Sequence, residues 1–182
     1  MIHSSLKRAV AVAMLAGVSF GANATTTHLG TVSEPTGIAG TVLGDGKSFS
    51  DIFTFTLSDP SLGASFDVIN VPATVSGQTS FDGILSALSL FSAGANGAVG
   101  GGDDTLLATS TLPGSESLTL DYNQSLSGLS YITVTGISNA SGGAIYAGEI
   151  APIPEPETYA MLLAGLGLMG AVVRRRGMKK TS

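Results

Sequence analysis

Between residues 25 and 153, apolar and polar positions alternate in short runs. No run keeps a 3.6-residue period over helical length. The clearest strand is 49–57: period two puts Phe49, Asp51, Phe53, Phe55 and Leu57 on one face, with Ser50, Ile52, Thr54 and Thr56 on the other. Further strands are expected at 37–43, 64–69, 85–92, 105–111, 117–122, 129–135 and 144–150. Residues 84–91 could also form a helical turn through Leu85 and Leu88, but their serines and the shortness of the run favour a strand. Gly, Asn, Asp, Ser and Pro separate these runs at the spacing of a sandwich, and 94–104 reads as a flexible glycine-rich loop. The fold expected is all-β: a single antiparallel β-sandwich, jelly-roll-like, over residues 25–153. His28, just inside its start, is expected at a frayed terminus.

Both ends of the chain break this pattern. Lys7 and Arg8 precede an apolar run at 9–20, and Ala22-Asn23-Ala24 then places small residues where a signal peptidase reads them. Residues 1–24 therefore read as a signal peptide cut after Ala24. The run 9–20 is too short to span a bilayer. At the other end, Pro154-Glu155-Pro156 opens a non-helical stretch, because each proline fixes its own φ and pushes its predecessor toward extended backbone. An apolar helix is expected at about 158–173, followed by a basic tail at 174–180. At ~1.5 Å per residue, the uncharged 159–173 covers about 22 Å of a roughly 30 Å hydrocarbon layer, so thinning and snorkelling must close the gap. Arg174, Arg175 and Arg176 would hold that end in the cytoplasm, with the domain outside the inner membrane.

Charge sharpens this division. Seven of the eight basic residues lie in the two ends, and Lys47 stands alone between Thr25 and Ile153 against eleven acids, a net of about −10. A surface so acidic repels phosphate and excludes nucleic acid as a partner. With no cysteine, disulfides, thiolate metal sites and cysteine nucleophiles are excluded too.

The string from Pro154 to Gly167, closed by Arg174-Arg175-Arg176, resembles the PEP-CTERM sorting signal. That resemblance implies recognition by an exosortase, a membrane-embedded transpeptidase-like enzyme of Gram-negative, exopolysaccharide-producing bacteria. The implied route is transient anchoring in the inner membrane, cutting near the motif, and delivery to the cell surface or extracellular matrix, with exopolysaccharide as a possible associate. The same segment has also been labelled an ice-binding-protein C-terminal domain. Phe49, Asp51 and Phe53 match an F-x-D-x-F signature of a PEP-CTERM subgroup, and Gly142 to Gly148 resembles that subgroup's ending.

Candidate chemistry is sparse. Asp51 is aimed into the core by strict alternation, where a carboxylate must be paired or hydrogen-bonded. The readings open at this point are a cap accepting backbone N–H groups, a Ca²⁺ ligand, or a bulge that turns it to solvent. Asp103 and Asp104 follow three glycines and are the speculative cation site, although such a pair is more often a solvated turn. Thr54 with Thr56, Thr109 with Thr111, and Thr133 with Thr135 place threonines on single faces, as β-formers do and as ice-binding surfaces do. No catalytic residue is expected: no histidine sits centrally and neither G-x-S-x-G nor H-E-x-x-H occurs. The alternative to a sorted surface protein without enzymatic activity is a carbohydrate- or Ca²⁺-binding module.

Overall fold

The computed structural model describes residues 24–60, 62–75, 77–153 and 161–170. Most of the expected signal segment with Ala22, the motif Pro154-Glu155-Pro156, and Arg174, Arg175 and Arg176 lie outside the described residues. The chain runs through β1 (Thr26–Val32), β2 (Thr36–Leu43), β3 (Ser48–Leu57), β4 (Gly63–Asn70), β5 (Ala73–Val75) and β6 (Gln78–Phe81). It continues through β7 (Gly83–Ser92), β8 (Thr105–Ser115), β9 (Ser117–Tyr122), β10 (Ser130–Ser138) and β11 (Gly143–Ile153). A helix, α1, covers 161–170. Residues 84–91 lie within β7, as their short serine-rich run implied.

Two sheets result. One has the order β1-β3-β10-β7-β8; the other has β5-β6-β11-β4-β9, with β2 also paired to β11. They face one another across a shared core. Phe53, Phe55, Leu88, Leu90, Ile132 and Val134 come from the first sheet, and Phe66, Val68, Tyr146 and Ile150 from the second. Phe55 and Phe66 meet across the gap with ring centres 5.8 Å apart. Alternation in β3 is as read from sequence: Phe49, Asp51, Phe53, Phe55 and Leu57 are all buried.

Two features depart from the sequence reading. The segment containing His28 is not frayed: it forms β1, and His28 Nδ1 lies 2.7 Å from Thr54 Oγ1. Nor is the pairing antiparallel throughout, because β1 runs parallel to β3 from Thr26 opposite Ile52 to Val32 opposite Leu57. The strand was hard to foresee because its exposed and half-covered positions carry threonine and glycine rather than a row of large apolar side chains. The ribbon β5–β6 was also missed, being short and polar.

At the C-terminal end, α1 covers ten residues of the expected 158–173 helix, and every one is exposed. Among the described residues, no helix is long and apolar enough to cross a membrane.

Strand glycines make room for aromatic side chains of the neighbouring strand in the same sheet. A Cβ at Gly40 on β2 would run into the Tyr146 ring, and one at Gly136 on β10 would meet Phe49 and the Ile84 carbonyl. Gly40→Ala is therefore expected to destabilise the fold by about 1–3 kcal/mol through overpacking. Urea unfolding checks this, and an unchanged midpoint would mean that the Tyr146 ring is free to shift.

Candidate functional site

The most unusual chemical group in the core is the Asp51 carboxylate. Only 3% of the residue is exposed, between Phe49 and Phe53 on the inner face of β3. Its Oδ2 accepts the Tyr146 hydroxyl at 2.5 Å, and that bond crosses from one sheet to the other. Its Oδ1 accepts the Thr25 backbone N–H at 2.8 Å and the Thr25 hydroxyl at 2.5 Å. The Thr25 carbonyl in turn accepts the Ile52 N–H at 2.7 Å. No cation pairs with Asp51 among the described residues.

The aromatic residues of the signature build the walls around this group. Tyr146 stacks on Phe49 with ring centres 5.4 Å apart and planes 7° from parallel, and it meets Phe53 edge-on at 6.4 Å. The F-x-D-x-F spacing puts all three side chains on one strand face, and Tyr146 from β11 closes the box. Burial pushes the Tyr146 phenol well above its ordinary value, and the neighbouring Asp51 charge and hydrogen bond push it further the same way. The phenol thus stays protonated and keeps donating. Of the readings open for Asp51, the backbone-capping one is closest, with a tyrosine hydroxyl added. The signature gave no sign of Tyr146 or Thr25, which lie 95 and 26 residues away in sequence.

Asp103 and Asp104 sit elsewhere, at the end of the glycine-rich loop. Asp103 Oδ2 accepts the N–H groups of Ala95 and Asn96 at 2.8 and 3.1 Å. Asp104 Oδ2 accepts the Gly100 N–H and the Tyr131 hydroxyl, each at 2.7 Å. Tyr131 stacks on Phe91 at 4.9 Å, so the loop is fastened to the first sheet through one tyrosine. The Tyr131 hydrogen bond, then the Gly100 N–H, lower the Asp104 carboxyl, while burial and the Asp104 partner push the Tyr131 phenol up to about 12. Among the described residues, no cluster of three or more His, Cys, Asp or Glu is placed to hold a metal ion. The threonine pairs are divided in their surroundings. Thr54 is buried beside His28, whereas Thr109 lies exposed with its hydroxyl 2.8 Å from Ser89 Oγ.

With this geometry established, likeness to known proteins adds one firm element. The family model of the PEP-CTERM protein-sorting motif matches residues 152–176. The match implies export with membrane-anchored sorting and an exosortase as the processing partner. No curated protein matches the chain. Among solved structures, one similar chain is the subject of the report "CorA is a surface-associated copper-binding protein important in Methylomicrobium album BG8 copper acquisition". The two are 9% identical, with 71% of this chain and 100% of that one covered and a TM-score of 0.39. Another is the Yersinia pseudotuberculosis-derived mitogen, 16% identical over 66% of this chain and 86% of that one, with a TM-score of 0.34. Both likenesses are too distant to say what this chain binds.

The two raised phenols and the lowered Asp104 carboxyl make opposite demands on pH. A phenol raised in the folded state contributes stability that is fully present below the unfolded value near 10.0 and is lost as pH rises through the folded value. Asp104, lowered in the folded state, contributes above the ordinary carboxylate value of 3.8 and loses that contribution as pH falls through its folded value. Alkaline titration followed by tyrosinate absorbance is expected to show Tyr131 ionising near 12 and Tyr146 only with unfolding. Tyr146→Phe should remove a titrating group and, by leaving Asp51 Oδ2 without its donor, destabilise the fold by about 1–3 kcal/mol. Equal stability of that variant would show that water replaces the hydroxyl. One oxygen of Asp103 and one of Asp104 are occupied by donors from within the fold, Asp104 Oδ1 is left without a partner, and no third His, Cys, Asp or Glu is placed beside them among the described residues, so Ca²⁺ should leave the melting temperature unchanged. A rise reversed by EDTA would restore the cation reading.

Proposed function

We propose that this chain is a non-enzymatic exported protein of the bacterial surface or extracellular matrix, freed of its leader after Ala24 and sorted through Pro154-Glu155-Pro156 by an exosortase. The observation that carries this reading is the sorting-motif match at 152–176, which starts inside β11 and shares that strand's last two residues, Pro152 and Ile153. The last wholly buried core residue of β11, Ile150, lies upstream of the match, so a cut near the motif leaves the core whole. Met161, Leu162, Leu163, Leu166, Leu168 and Met169 on α1 are exposed, an apolar surface that a bilayer would cover.

The domain ahead of the tail is read as a jelly-roll β-sandwich. Its support is the strand order: with β1, β5 and β6 set aside, β3-β10-β7-β8 faces β2-β11-β4 and β9 in the manner of two interleaved Greek keys. A structural rather than catalytic role is favoured because the ordered carboxylates of Asp51, Asp103 and Asp104 accept N–H and O–H groups from within the fold. A net charge of about −10 over 25–153 suits a hydrated matrix or a cationic partner there.

Cell fractionation of a chain tagged within the 94–104 loop tests the sorting. Replacing Pro154-Glu155-Pro156 by three alanines is expected to leave uncut protein in the inner membrane, whereas the native motif yields a shorter surface form. Identical size and location for both would sink the proposal.

A further inference from the structure

The Asp51 carboxylate lies in a buried site that supplies only neutral donors as long as the chain continues through Ala24. Its Oδ1 is met by the backbone nitrogen of Thr25, the first residue after the expected cleavage point. Ala24 is exposed, Thr25 is half-buried, and β1 begins at the next residue. The scissile bond therefore lies where solvent ends and the core begins. Lys47 is the sole Lys or Arg between Thr25 and Ile153, and it does not pair with Asp51.

From this placement we infer that Asp51 is a binding site for an α-ammonium group, and that its ligand is the protein's own new N-terminus at Thr25. The inference rests on the reading that a signal peptidase cuts after Ala24. Hydrolysis of the Ala24–Thr25 amide by water leaves a carboxylate on Ala24 and an amine on Thr25, which takes up the proton and becomes an ammonium. Its nitrogen is the same atom that already lies 2.8 Å from Asp51 Oδ1. Cleavage thus turns a hydrogen bond into an ion pair without moving the chain, and neutralises a charge that burial otherwise penalises.

The geometry is specific to one residue. The Thr25 hydroxyl joins its nitrogen on the same oxygen, and the Thr25 carbonyl accepts the Ile52 N–H, which fixes the parallel register of β1 on β3. An N-terminus one residue longer would carry its charge roughly 3.5 Å further along the chain, past the exposed Ala24 position and into solvent. The phenol of Tyr146 holds the other carboxylate oxygen, so the carboxylate is aimed before the ammonium arrives. In this way the F-x-D-x-F aspartate couples leader removal to completion of the first sheet.

The test uses the full chain, processed in a host with its own signal peptidase. Mass spectrometry first reads the N-terminus, and any residue other than Thr25 overturns the cleavage reading and the inference with it. With Thr25 confirmed, an amine-reactive ester is applied near neutral pH, and acylation of the Thr25 α-amine is followed against the same amine in urea. A free α-amine titrates at about 7.7–8.0, and each unit of upward shift leaves about tenfold less reactive amine. Acylation at least tenfold slower in the folded protein is the expected result, with most of the slowing lost in Asp51→Asn. Should that variant fail to fold, a serine inserted between Ala24 and Thr25 serves instead. It keeps every core side chain and the Thr25 N–H, and displaces only the charge. The inserted chain should acylate rapidly and melt at a lower temperature than the native one. Acylation at the free rate in the native chain, or an insertion that alters neither rate nor melting, would overturn the inference while leaving the cleavage reading intact.

Discussion

A carboxylate inside an apolar core is the constraint around which the rest of this fold is arranged. Asp51 needs several donors at once, and no single neighbouring strand offers them. They come from opposite ends of the described domain, Thr25 just ahead of the first strand and Tyr146 on the last. The demand of one charged side chain therefore ties the first sheet to the second and brings the N-terminal segment in as an edge strand. A purely apolar residue at this position would fill the volume, but it would provide no reason for β1 to stop in one register.

The aromatic frame and the glycines follow from that tie. Tyr146 reaches Asp51 only by lying flat against Phe49, and this requires bare backbone at Gly40 beneath its ring. Gly136 gives Phe49 the same allowance from the neighbouring strand. The signature Phe49-x-Asp51-x-Phe53 is thus half of a structure whose other half is Tyr146, set among small residues in Gly143-Ala144-Ile145-Tyr146-Ala147-Gly148. The loop carrying Asp103 and Asp104 repeats the arrangement on a smaller scale. There too an aspartate gathers backbone N–H groups and one tyrosine hydroxyl, at a half-buried site where the carboxylate remains easily ionised.

Position in the chain links this architecture to export. β11 is paired with both β2 and β4, and its last two residues already belong to the sorting-motif match. The C-terminal tail thus leaves from a strand inside the second sheet, whereas the N-terminal segment enters at β1 on the edge of the first. The paired residues of both sheets lie between 26 and 153, clear of both Ala24 and Pro154.

Local pattern was enough to locate most strands, because period-two alternation and glycine-rich breaks are written in adjacent residues: 49–57, 64–69 and 117–122 fall within β3, β4 and β9. It also aimed Asp51 inward, and it picked out the sorting motif at the C-terminal end from its prolines and the basic run beyond. Sequence alone left open what satisfies Asp51, how β1 pairs, and which acids serve the loop, since those answers depend on residues tens of positions apart meeting in space. β1 shows the limit most clearly. Its own residues carry little hydrophobic pattern, and its parallel register follows from Thr25 finding a carboxylate on β3. That contact exists only after the sheets have packed, so tertiary structure decided it.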